Sequence, residues 1–125
     1  MKSYTDLEQS KKLAEILPLE SADMWWLYIT AQGKHIAMMH EEPDPHYLAR
    51  MEGYGIKNAA IPCWSLAALL AVIKPINENT YTIRGTLDGG ATISFDEITN
   101  VMYQEEEIID AVFEMVVWLK EKDKI

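Results

Sequence analysis

With 125 residues, 49% of them hydrophobic, the chain is sized for one domain with one core, which excludes a disordered or fibrous protein. Twenty acidic residues against eleven basic ones leave a net charge of −9, which repels a phosphate backbone and disfavours direct DNA or RNA binding. The lone cysteine, Cys63, excludes an internal disulfide; Met1 to Lys12 lacks the apolar stretch of a secretory leader and no run approaches membrane-spanning length, so a reducing, cytoplasmic setting without a membrane partner is expected.

In chain order, Thr5-Asp6-Leu7-Glu8 has capping-box spacing and predicts a helix start. Leu7, Leu13, Ile16 and Leu17 share one side of that helix, and Pro18 ends it. From Met24 to His40 the residues turn β-branched and aromatic, and Trp25 to Thr30 and His35 to His40 flank Ala31-Gln32-Gly33-Lys34, which predicts an antiparallel hairpin. Glu41 to Ala60 holds prolines, glycines and charges with little periodicity and is expected to be a long connection with one helical turn around Tyr47 to Met51. Ile61 to Ile73 spells one short buried helix: Ser65 caps it, Trp64 staples onto Leu69, and Pro75 stops it. A second hairpin is expected from Thr80 to Leu87 and Ala91 to Phe95 around Asp88-Gly89-Gly90. Gln104 to Lys122 is expected to be the longest helix, largely buried, opened by glutamates and closed by lysines in accord with its dipole.

Groups able to carry chemistry are few. His40, Asp44 and His46, with Glu41 and Glu42 between them, could meet a divalent metal if the loop folded back, but they match no ligand spacing and their prolines hold the side chains apart. Cys63 lies just before a predicted helix start, yet its apolar neighbours point to packing. Ser65 lacks the glycines of a nucleophile elbow, and Asp88-Gly89-Gly90 lacks the Lys-Ser/Thr pair of a phosphate loop. No catalytic group and no cofactor follow from these residues. Adjacent tryptophans on a strand face opposite ways, so one ring of Trp25 and Trp26 is expected at a surface.

The final helix carries a polar stripe of Glu107, Asp110, Glu114 and Glu121. Between Gly85 and Leu119 stand eight acids and no lysine or arginine, a bias that marks Glu107, Asp110 and Glu114 as a candidate docking surface for a basic protein partner.

The order of segments, in particular Ser21-Ala22-Asp23-Met24, Ile61 to Leu70 and Asp110 to Leu119, resembles small proteins of phages, prophages and related mobile elements of gut Bacteroides-type bacteria. The likeness covers most of the chain but rests on structural motifs, so it implies a genomic setting and a fold, and no activity. The long Glu41 to Ala60 connection and the glutamate-rich start of the last helix, in place of an Asp-Asn-Pro type of start, depart from that pattern.

The expected architecture is α+β: two antiparallel hairpins forming a sheet of about four strands, covered by three helices. The expected role is a non-enzymatic binding or accessory protein acting through the acidic or aromatic surface on a protein partner or a second copy of itself. The contrasting expectation is a small metal-dependent enzyme built on His40 and His46.

Overall fold

The computed structural model of the protein describes residues 2–39, 41–73, 81–85, 91–95, 102–105 and 107–123. It is α+β, with helices α1 (Leu7–Ile16), α2 (Pro45–Gly53), α3 (Leu66–Ile73) and α4 (Ile108–Glu121). The strands are β1 (Met24–Ile29), β2 (Lys34–Met39), β3 (Ala60–Cys63), β4 (Tyr81–Gly85), β5 (Ala91–Phe95) and β6 (Met102–Glu105). A single 3₁₀ turn, Leu19–Ser21, links α1 to β1.

Both expected hairpins form, but they do not share a sheet. Among the described residues there are two antiparallel sheets of three strands, ordered β2-β1-β3 and β4-β5-β6. Each hairpin gains a further strand: Met24 pairs with Cys63 and Leu27 with Ala60, while Ser94 pairs with Met102 and Ala91 with Glu105. Pro62 is tolerated in β3 because that strand lies at a sheet edge. In the first hairpin Ile29 faces Lys34, and Gly33 closes the turn at φ +65°, a conformation open to glycine at little steric cost. Pro75 and Asp88-Gly89-Gly90 lie outside the described residues.

Local chemistry explains the helix ends. The capping box of α1 sits one residue later than the Thr5 to Glu8 spacing predicts: Asp6 accepts from the Gln9 amide at 2.8 Å, and the Gln9 side chain accepts from the Asp6 amide at 3.1 Å. Thr5 is diverted because it is fully buried, its hydroxyl accepting from the Trp64 amide at 3.1 Å and pairing with Ser10 at 2.7 Å. Asp44 caps α2 through the His46 amide at 2.8 Å with Pro45 in the first turn, so the expected single turn is a nine-residue helix. Ser65 caps α3 as expected, its Oγ accepting from the Ala68 amide at 3.1 Å. Glu105 ends a strand, and α4 begins at Ile108; pairing to β5 overrides the helix preference of the glutamates.

The core lies among the helices. Leu13 of α1 and Leu17 at its C-cap, Leu69 and Ile73 of α3, and Ile109, Val112, Met115, Val116 and Leu119 of α4 close around Trp64 at the β3–α3 junction. α4 lies against α1, α3, β5 and β6, which accounts for its nearly continuous apolar circumference. The amino-terminal residues are tied to the start of α3: the Thr5 amide donates to the Trp64 carbonyl at 2.9 Å, and the Leu66 amide to the Ser3 carbonyl at 3.1 Å. Among the described residues no helix is long and apolar enough to cross a membrane.

Candidate functional site

The first part of the acidic stripe, Glu107 and Asp110, is occupied from within the chain. Lys2 Nζ donates to Asp110 Oδ1 at 2.6 Å, to Gln9 Oε1 at 2.9 Å and to Asp6 Oδ2 at 3.1 Å. Gln9 Nε2 also donates to Asp110 Oδ1 at 2.8 Å, and the Lys2 backbone amide donates to Glu107 Oε2 at 3.2 Å. Two of the three acids singled out in the sequence, Glu107 and Asp110, thus hold the segment around Lys2 to α4 along a seam. Glu114 lies half-buried on the same helix, outside that seam.

Burial lowers the affinity of Lys2 for its proton, but the hydrogen bonds and charges of Asp110 and Asp6 outweigh it and raise its pKa above the ordinary 10.5. A raised lysine pKa stabilises the fold fully below the unfolded value, and that contribution disappears as pH climbs through the folded one. The stability advantage of the wild type over Lys2→Met is thus expected to stay level up to about pH 10 and to shrink above 10.5. Urea denaturation of both proteins across that range measures it, and an advantage that grows with rising pH would contradict the seam.

The nucleophile candidates are consumed structurally. Cys63 is fully buried, and burial pushes its thiol above the ordinary 9.0 against weaker hydrogen bonds from Thr5 and Ser10, the reverse of thiolate activation. Ser65 donates to Asp23 Oδ2 at 2.5 Å while its amide donates to Asp23 Oδ1 at 2.9 Å, so the carboxylate fixes the cap. Asp44 spends one carboxylate oxygen on the His46 amide, and His46 is exposed in the first turn of α2. His40 lies outside the described residues, and among the described residues no group of three His, Cys, Asp or Glu side chains is placed to hold a metal ion.

The two tryptophans part company as strand alternation requires. Trp26 turns toward α1, its indole donating to the Thr5 carbonyl at 3.2 Å and Ser10 Oγ at 3.1 Å, with Tyr4 edge-on at 5.7 Å. Trp25 is half-buried and lines two adjoining grooves. One, about 280 Å³, runs between Trp25, Leu27, Pro43 and Tyr47; the other, about 300 Å³, runs between Trp25, Pro43, Leu19, Leu48 and Ala60. Leu19 and Leu48 are 53% and 40% exposed beside it. Tyr47 is fixed by donating its hydroxyl to the Tyr28 carbonyl at 2.5 Å, which sets α2 against β1.

Of the residues that line these grooves the sequence pointed to Trp25 and, as metal candidates, to Asp44 with Glu41 and Glu42 beside it. Leu19, Pro43 and Leu48 come from three segments, and the readable signal was the Asp44-Pro45 helix start that presents Tyr47 and Leu48 on α2. No protein family, curated protein or solved structure matches this chain.

Proposed function

We propose that the chain is a non-enzymatic binding protein, an accessory factor in a phage or mobile-element setting, which engages a protein partner in the cytoplasm through the groove around Trp25. The observation that carries this reading is the cluster of large apolar side chains at the surface there: Leu19 and Leu48, both exposed, beside the half-buried Trp25. Contiguous apolar surface beside a fixed aromatic ring is the usual anchor of a protein contact, because burying it is favourable and the ring loses little freedom. The charge of −9 argues against a nucleic acid as the direct ligand. The buried Cys63 and the tied Ser65 are suited to packing and capping, not to turnover.

The test is capture from the native host by wild type and by the double variant Leu19→Glu/Leu48→Glu, with circular dichroism to confirm that the exposed substitutions leave the fold intact. Recovery of the wild-type partner is expected to drop at least about tenfold in the variant, the change that loss of one central apolar contact produces. Equal recovery by both proteins would sink the reading. The genes flanking this one test the mobile-element setting separately.

A further inference from the structure

The Trp25 grooves combine an apolar floor with a rim of one charge. Glu41, Glu42 and Asp44 line them, Glu42 bordering both, and among the described residues no lysine or arginine does. Glu41 and Glu42 are exposed and make no ion pair among the described residues. Asp44 caps α2 through one carboxylate oxygen, which accepts from the His46 amide. The floor is formed by Trp25, Leu27 and Pro43 in one groove and by Trp25, Pro43 and Leu48 in the other, and each groove has room for one leucine- or phenylalanine-sized side chain.

Resting on the binding function proposed above, we infer that the occupant is a basic, apolar segment of a partner protein, two neighbouring large apolar side chains flanked by lysine or arginine. The apolar pair fills the two halves on either side of Trp25, and the flanking cations lie over Glu41, Glu42 and Asp44. An anionic membrane surface or a nucleic acid meets the same rim with the wrong sign. A second copy of this chain carries the same charge of −9 and is repelled likewise. Charge complementarity of this kind speeds encounter and rejects wrong partners more than it adds affinity, so its signature is salt dependence and discrimination.

The probe is a fluorescent peptide with paired leucines between lysines, compared by anisotropy with the same peptide carrying glutamates in place of the lysines. The lysine peptide is expected to bind at least about tenfold tighter, and to weaken as sodium chloride rises from about 50 to about 500 mM, where screening shortens to a few ångströms. Glu41→Lys/Glu42→Lys is expected to weaken it roughly tenfold, whereas Glu8→Lys/Glu15→Lys, the same net change at exposed positions of α1, leaves it unaltered. Equal binding of both peptides, or equal loss in both double variants, overturns the inference; so does self-association of the chain that Leu48→Glu abolishes, which assigns the groove to a second copy. If host capture through Leu19 and Leu48 persists while the lysine peptide gains no preference, the charge chemistry is wrong and the binding function stands. If capture and peptide binding are both insensitive to Leu19→Glu/Leu48→Glu, both fall.

Discussion

Trp64→Ala is expected to lower the unfolding free energy by about 3–5 kcal/mol, the range for truncating a fully buried tryptophan. Trp64 is completely inaccessible and belongs to the cluster formed by α1, α3 and α4, and its indole donates to Ser21 Oγ at 3.0 Å. Truncation therefore opens a cavity where three helices meet and removes the acceptor role of Ser21 at the same time. Against the roughly 5–15 kcal/mol that holds an ordinary domain together, such a loss leaves a substantial unfolded population at 37 °C. Urea denaturation followed by far-ultraviolet circular dichroism reads the shift without relying on tryptophan emission. A loss below about 1 kcal/mol would mean that the site collapses freely and that Trp64 is not the centre of the core.

Thr5→Val is expected to cost about 2–3 kcal/mol although it keeps the side-chain shape. The Thr5 hydroxyl accepts from the amide of the buried Trp64 and pairs with the fully buried Ser10, and Cys63 Sγ lies 3.6 Å from it. Valine offers no acceptor, so a buried amide and a buried hydroxyl each lose a partner that water cannot replace. Thr5→Ser retains the oxygen and is expected to stay within about 1 kcal/mol of the wild type, which separates the hydrogen bonds from the packing. Equal destabilisation by valine and serine would show that the methyl group, not the hydroxyl, matters.

What could be read from the sequence was whatever a few neighbouring residues decide. Ser65 caps α3 because a serine three residues before a free amide is enough to do so, and Trp25 and Trp26 separate because adjacent strand residues must. β3 was hidden because Ala60–Cys63 runs directly into the helix signal, and it becomes a strand only by pairing with β1. α2 runs longer than the single turn expected because its charges and flanking glycines mask a helix that Asp44 and Pro45 announce. The acidic stripe was legible as a stripe, yet its occupant, Lys2, lies 108 residues from Asp110, beyond any local pattern. The Trp25 grooves were illegible for the same reason: their walls come from the 3₁₀ turn, β1, the 41–44 segment and α2.

The seam between Lys2 and α4 also bears on how the protein acquires its shape during synthesis. The Lys2 amide finds Glu107 only after a further 105 residues have been added, which at about 5–20 residues per second takes roughly 5–20 s. Throughout that interval Lys2 has only Asp6 and Gln9 within reach, and its bonds to α4 wait for that helix. The seam therefore closes long after Lys2 itself is made, because its partners on α4 lie more than 100 residues further along the chain.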